Sequence, residues 1–132
     1  MKEALAVMAG GALGSLARWG VAIWFASQPW SEKFPWATLA VNVTGSFAIG
    51  FLAELMIEDG PFFLGSGFRA FLLVGILGGF TTFSAFSLQT LALVRDGQPA
   101  LAVWNIFLSV AVCFFAVWLG ILLAQKIHSL AA

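Results

Sequence analysis

The sequence is poor in charge: only 9% of its 132 residues are Asp, Glu, Lys or Arg, while 61% are apolar. Soluble domains carry about 25% charged residues, so this chain cannot solvate the surface of a globular protein. Its formal net charge is zero, which argues against a nucleic-acid partner or a polybasic lipid-binding role. We therefore predict a protein whose main surroundings are the lipid bilayer.

Side chains that support catalysis or metal binding are equally scarce. The one cysteine, Cys113, excludes a disulfide within the chain, and with a single histidine it forms no metal-ligand cluster. Glu3 and Glu54 lie near the ends of apolar segments, so the mid-membrane carboxylate of a proton-coupled pump or cation exporter is missing. There is also no nucleophile–base pair and no phosphate-binding glycine loop with lysine. These absences argue against an enzyme.

Long apolar segments dominate the chain instead. A membrane-spanning helix needs about 20 predominantly apolar residues, and four segments satisfy this, at about 4–26, 36–57, 70–94 and 100–124. They leave no room for a soluble domain. We therefore predict one all-α membrane domain over residues 1–132, with four transmembrane helices and a first helix that is retained rather than cleaved.

Positive charges are distributed almost evenly over the two sides of this predicted bundle. The side that holds both termini has Lys2, Arg69 and Lys126. The opposite side has Lys33 and Arg95, together with Arg18 if that side chain reaches the surface. Because an excess of Lys and Arg sets the orientation of a membrane protein, near-equal numbers predict insertion both ways up and an antiparallel homodimer.

The first span combines small residues with a charge. Gly10 and Gly14 are four residues apart, a spacing that lets helix backbones approach closely, and we interpret them as a packing face. Arg18 costs at least about 2.5 kcal/mol at the bilayer centre. Its side chain therefore either extends to the membrane surface or has a buried structural or vestibule role, and both interpretations stay open.

The second span presents Thr38, Asn42 and Ser46 on one helix face, at i, i+4 and i+8. An asparagine in hydrocarbon must find a partner or face a cavity. Asn42 is thus either a hydrogen-bonding contact between helices or a donor to a permeating anion, and its spacing does not decide between them. A similar stripe on the fourth span consists of Asn105, Ser109 and Cys113.

The third span contains paired glycines, Gly78 and Gly79, followed by two threonines and a row of phenylalanines at Phe80, Phe83 and Phe86. Each glycine costs roughly 1 kcal/mol relative to alanine inside a helix, so the pair predicts a break in mid-membrane. Aromatic rings have a positive edge, which can contact an anion weakly enough to let it leave again. Phenylalanines at this spacing also commonly pack or face lipid, so the anion interpretation competes with a structural one.

Three motifs resemble the CrcB/Fluc family of fluoride channels. The most specific is GGFTTFSAFS at residues 78–87, and the others are GSLARW at 14–19 and NVTGSF at 42–47 with Thr38 before it. They occur in order on the expected spans, and the resemblance covers essentially the whole chain. It implies a dual-topology homodimer in the bacterial cytoplasmic membrane that releases fluoride passively through two pathways at the subunit interface.

The resemblance also implies roles for individual residues. Asn42 would donate to fluoride, and Phe83 and Phe86 would present ring edges to it. The other pathway residues would be Thr82, Ser84 and Ser109.

The same resemblance implies a structural sodium ion shared by the two subunits. The backbone carbonyls of Gly78 and Thr81 would hold it, since freed carbonyls suit such a cation. The chain departs from the family pattern at Gln89, where many members have Glu, at Asn105, in place of a frequent Tyr, and at Cys113, in place of a smaller polar residue. These departures leave the central residues intact.

Two other functions remain to be compared with a fluoride channel. A proton-coupled small multidrug exporter has a similar size and number of spans, but it would need a mid-helix Glu on the first span. A non-transporting membrane assembly subunit would use the Gly10 and Gly14 face to bind its partners.

Overall fold

The computed structural model of the chain describes residues 1–58 and 60–131, and their regular structure is entirely helical. Its helices are α1 (Lys2–Ala26), α2 (Trp36–Leu55), α3 (residues 66–80), α4 (Phe83–Arg95) and α5 (Pro99–Ala131), with a short 3₁₀ turn at Pro29–Ser31. Within the described residues, four helical segments are long and apolar enough to cross a membrane, and α3 with α4 forms the third of them. The prediction of an all-α chain with four such segments is confirmed.

Proline and glycine set the ends of the helices. Pro99 is the first residue of α5, where its missing N–H would have no helical partner in any case. Gly65, just before α3, has a φ of 93°, and Gly97, just after α4, has a φ of 72°. Residues that have a Cβ rarely adopt these backbone angles, so the two turns depend on glycine.

The last helix continues beyond the predicted boundary at residue 124, because polar residues sustain it after the apolar run ends. Gln125 donates to the Glu54 carboxylate at 3.1 Å. The His128 Nε2 lies 3.2 Å from the carbonyl oxygen of Leu55. The C-terminal part of α5 is therefore fastened to the end of α2.

Glycines let two pairs of helices touch through their backbones. A Cβ on Gly10 would overlap the carbonyl oxygen of Phe71, and one on Gly14 would overlap that of Ile76. This contact between α1 and α3 supports the interpretation of Gly10 and Gly14 as a packing face. A Cβ on Gly50 would likewise overlap the carbonyl oxygen of Val117, which brings α2 and α5 together in the same way.

The backbone leaves helical geometry between α3 and α4. From Phe71 to Leu77, α3 is wound as a π-helix, and it ends at Phe80. Thr81 (φ −82°, ψ 156°) and Thr82 (φ −152°, ψ 116°) are both extended, and α4 begins one residue later. The glycine pair itself is helical, with φ −65° and ψ −36° at Gly78. We call the two extended residues the Thr81–Thr82 gap.

The glycine pair that precedes the gap packs against α1. Gly79 faces α1, where a Cβ would lie 2.6 Å from the carbonyl oxygen of Gly11. The pair therefore serves close packing while it stays in helical conformation, and the chain departs from the helix only at the threonines that follow.

Candidate functional site

The side chain of Asn42 closes the Thr81–Thr82 gap. Its Nδ2 donates to the carbonyl oxygen of Thr82 at 3.0 Å, and its Oδ1 accepts from the N–H of the same residue at 2.8 Å. The amide thus pairs with the backbone as a neighbouring β-strand would. Gly45, one turn along α2, makes room for this approach, since a Cβ there would overlap the methyl group of Thr81.

Asn42 therefore makes a hydrogen-bonding contact between helices, as one of its two interpretations predicts. The contact does not use both N–H groups of its side-chain amide. A primary amide has two N–H groups on its nitrogen. One is donated to Thr82, and no other described residue accepts from Asn42. The second N–H is therefore available to a ligand while the side chain is held in place by the backbone.

Several backbone carbonyls lose their helical partners at the gap, and those of Gly78 and Thr81 are among them. In a continuous helix the N–H of Thr82 would bond to the carbonyl of Gly78, and the N–H of Ala85 would bond to that of Thr81. Instead Thr82 donates to Asn42, and Ala85 donates to the Thr82 hydroxyl at 3.2 Å. The carbonyl oxygens of Gly78 and Thr81 are left without these donors. Gly78 is exposed and Thr81 is half-buried, so both are near the surface of the chain.

A cavity of about 320 Å³ lies beside the gap, and we call it the central cavity. It is lined by Asn42, Gly45, Ser46, Ile49, Thr81, Thr82, Phe83, Phe86, Ser109, Val110, Cys113 and Phe114. Five of the predicted pathway residues are in this lining, and they come from α2, the gap, α4 and α5. None of the described residues that line it carries a charge.

The two phenylalanines of the site differ in burial. Phe86 is only 8% exposed, whereas Phe83 is 77% exposed. Their ring centroids are 5.3 Å apart, and the ring planes are inclined at 48° to each other. The pair therefore extends from the interior of the bundle to its outer surface, and both rings border the central cavity.

Other predicted residues lie around this centre. Ser109 is 8% exposed and lines the cavity from α5. Ser84 lies outside the lining, with its hydroxyl 3.3 Å from that of Thr82. Asn105 is almost wholly buried and donates to the Thr90 hydroxyl at 2.8 Å, which fastens α5 to α4. In this structure Asn105 is a packing contact rather than part of the cavity.

Arg18 lines a second cavity of about 320 Å³, which we call the Arg18 cavity. Thr82 borders both this cavity and the central one, so the two adjoin each other at the gap. Among the described residues that line the Arg18 cavity, Arg18 alone carries a charge. This position favours the vestibule interpretation of Arg18 over a purely surface one.

Comparison with known proteins identifies the family. Residues 5–121 match the family described as CrcB-like protein, Camphor Resistance (CrcB). The chain belongs to the CrcB family. The resemblance seen in the sequence motifs is thereby confirmed.

Several proteins similar to this CrcB-family chain bear the name of a fluoride-specific ion channel. A protein of Opitutus terrae named fluoride-specific ion channel FluC is 48% identical over 126 residues, which cover 96% of this chain and 95% of the relative. A protein of Methylocella silvestris with the same name is 48% identical over 124 residues, covering 94% of each chain. A third, from Paramagnetospirillum magneticum, is 49% identical over 122 residues, covering 92% of this chain and 94% of the relative.

The central cavity of this CrcB-family chain is also lined by six described residues that were not predicted as site residues: Ser46, Cys113, Phe114, Gly45, Ile49 and Val110. The sequence contains a signal for Ser46 and Cys113, because each belongs to a stripe of small polar residues on its helix. It gave none for Phe114, since phenylalanines on the outside of a membrane helix have the same spacing as one that borders a cavity.

The pairing of Asn42 with the gap leads to a stability prediction for this CrcB protein. The ionised carboxylate of Asn42→Asp retains an acceptor for the N–H of Thr82 but has no donor for its carbonyl, so two oxygens would face each other. We expect a loss of about 1–3 kcal/mol of stability, the cost of an unsatisfied buried group, measured as a lower thermal transition of the detergent-solubilised protein. Ser46→Ala, on the same helix and cavity, is the control and should unfold as the wild type does. An unchanged transition for Asn42→Asp would contradict the structural role of the pairing.

Proposed function

We propose that this protein is a fluoride channel, which lets fluoride leave the cell passively and so lowers its toxicity. It is a multi-pass protein of the bacterial inner membrane, and it is not an enzyme. The observation that carries the proposal is the convergence of Asn42, Phe83, Phe86 and Ser109 on one uncharged cavity beside the helix gap. Relatives that are nearly half identical over almost the whole chain are named fluoride-specific ion channels.

The chemistry of the central cavity suits a small anion that must keep moving. A fluoride ion that enters it loses hydration, which many weak contacts have to replace. The free N–H of Asn42, the hydroxyl groups and the ring edges of Phe83 and Phe86 are contacts of this kind. Because none of the described residues that line the cavity carries a fixed positive charge, the anion is held weakly enough to leave, as conduction requires.

The carboxylates argue against the proton-coupled multidrug exporter. Glu3, near the start of α1, accepts a hydrogen bond from Ser66 at 2.8 Å. Glu54, near the end of α2, accepts from Gln125. Both are therefore at the ends of their helices and engaged with neighbouring segments, rather than in mid-membrane where proton exchange with a substrate would need them. A purely structural role as an assembly subunit would not explain why polar side chains line the central cavity.

The proposal includes an antiparallel homodimer in which the Thr81–Thr82 gap lies within the membrane. Non-helical backbone is tolerated at that depth only when protein or a water-filled cavity surrounds it. The gap opens near the surface of this chain, where Gly78 and Phe83 are exposed. A second copy would cover this surface, and the near-even distribution of Lys and Arg allows that copy to have the opposite orientation.

The proposal also includes a structural sodium ion between the two copies. The carbonyl oxygens of Gly78 and Thr81 have lost their helical donors, and oxygen ligands of this kind suit a hard cation. Among the described residues, no group of three His, Cys, Asp or Glu side chains is placed to hold a metal. We therefore assign the proposed ion to these backbone carbonyls, where it would supply positive charge near the anion path when bound.

The fluoride-channel assignment is tested by efflux from liposomes. Protein reconstituted with internal fluoride should release it when a potassium ionophore dissipates the charge, and a fluoride electrode records the rate. Phe83→Ile and Phe86→Ile should each lower this rate by at least about tenfold, since they remove a ring edge while keeping an apolar side chain of similar size. Leu88→Ile, on the exposed face of the same helix, is the control. Wild-type protein without efflux would refute the channel, and unchanged efflux in both Phe variants would refute the aromatic contact.

Dual topology is tested by the position of the C-terminus. A cysteine added after Ala132 in a Cys113→Ser background should react with a membrane-impermeant thiol reagent from both sides of the cell membrane, in roughly equal amounts. The expectation follows from the weak bias of Lys and Arg. Labelling from one side alone would contradict the antiparallel arrangement.

The sodium site is tested by replacing sodium with N-methyl-D-glucamine, a cation too large for a carbonyl cage, at constant ionic strength. We expect the dimer to dissociate at a lower temperature in size-exclusion chromatography, because the carbonyls of Gly78 and Thr81 would lose their shared ligand. Returning sodium should restore the transition. Equal thermal stability in both salts would exclude a structural role for sodium.

A further inference from the structure

Gln89 lies where the Arg18 cavity meets a larger cavity near the membrane surface. The larger one has a volume of about 540 Å³ and contains the loop between α1 and α2 in its lining; we call it the surface cavity. Gln89, Ala22 and Ala37 line both cavities, and of these three Gln89 alone has a polar side chain. The central cavity, the Arg18 cavity and the surface cavity thus form a row in which neighbours share a lining residue, Thr82 for the first two and Gln89 for the last two.

The amide of Gln89 is turned into the protein. Its Oε1 is inaccessible to solvent and has no hydrogen-bond partner among the described residues. A buried polar atom without a partner is rare and calls for an explanation. Its position means that any charge introduced at the end of this side chain would lie inside the wall between the two cavities, where bulk water screens it poorly.

The charges along the row are unevenly placed. Arg18 is half-buried and is the charged residue of the Arg18 cavity. Glu32, Lys33 and Asp96 line the surface cavity, and all three are exposed, so solvent and salt screen them. Among the charged side chains along this row, that of Arg18 is therefore the positive one next to the central cavity, and none of the described residues lining the Arg18 cavity opposes it.

We propose that Gln89 is a positioning residue which keeps the charge of Arg18 uncompensated, so that the Arg18 cavity attracts anions on their way to the central cavity. A glutamine supplies the size and shape of a glutamate without its charge. A carboxylate at this place would pair with the guanidinium in a poorly screened environment and cancel its field. The inference rests on the proposed fluoride channel, because it concerns how the anion reaches that channel's site.

The Arg18 cavity and the central cavity would have different electrostatic roles. A cleft lined by one sign of charge with low-dielectric walls raises the local concentration of the opposite ion by a factor of roughly 10 to 1,000. The central cavity has no charged side chain among its described lining residues, so it does not concentrate anions in this way. A fixed positive charge there would bind the ion too tightly. Attraction in the Arg18 cavity and weak contact in the central cavity thus serve successive steps, and the neutral side chain at position 89 keeps the first of them effective.

The test compares the fluoride dependence of efflux in reconstituted variants. Gln89→Glu should raise the half-saturating fluoride concentration by about tenfold while the maximal rate changes by less than about twofold, because it removes attraction and leaves the central contacts intact. Arg18→Gln should give the same shift, since it too leaves the cavity neutral. Gln89→Met keeps the charge of Arg18 uncompensated and should shift the half-saturating concentration much less than Gln89→Glu does. Ala92→Glu adds the same carboxylate one turn away, in the surface cavity only, and is the control.

Each outcome has a defined meaning. A dimeric Gln89→Glu variant with an unchanged half-saturating concentration would overturn the inference, and so would a Gln89→Met variant as impaired as Gln89→Glu, since the amide itself would then be required. If Gln89→Glu does not fold, Arg18→Gln decides: an unchanged half-saturating concentration there refutes the attraction. Absence of efflux from the wild type would instead refute the fluoride channel.

Discussion

The pairing of Asn42 with the backbone of Thr82 is the contact on which the site depends. In hydrocarbon, each unsatisfied backbone group costs several kcal/mol, so a helix cannot simply stop within the apolar layer. Asn42 satisfies both the N–H and the carbonyl of Thr82 from a neighbouring helix. The chain can therefore adopt two extended residues and resume as a new helix, whose first turn is capped by the Thr82 hydroxyl.

The rest of the bundle holds this gap in position through backbone contacts. Gly10, Gly14 and Gly79 bring α1 against α3, while Gly45 admits the methyl group of Thr81 against α2. A Cβ at Gly10, Gly14 or Gly79 would overlap the backbone of the neighbouring helix, so the helices would have to separate. Because lipid tails provide no hydrophobic force between helices, such close packing is a main source of association in a membrane. The same contacts that stabilise the bundle thus also fix the geometry of the site.

The two inner cavities differ in electrostatic character, and the gap separates them. The Arg18 cavity contains a half-buried guanidinium, and the central cavity contains amide, hydroxyl and aromatic groups but no charge among its described lining residues. Thr82 borders both cavities and therefore lies at the boundary between them. On the proposed path, an ion would pass from one environment to the other at this residue. A channel needs attraction to collect a scarce ion and weak binding to release it, and one uniform cavity would serve only one of these needs.

Patterns within the chain were enough to identify the class of protein, and five of the predicted pathway residues line the central cavity. Low charge and four apolar segments identify a membrane-embedded helical chain, and the stripe through Asn42 marks the polar face of α2, because helical periodicity and hydropathy are local properties. The tertiary structure decided where α3 ends, which partner Asn42 binds, and that Arg18 and Gln89 line the same cavity. These features depend on contacts between residues far apart in the chain: the glycine pair remains helical because α1 packs against it, and the threonines leave the helix because Asn42, 40 positions earlier, replaces the lost hydrogen bonds. No local pattern contains that information, since it arises only when the helices meet.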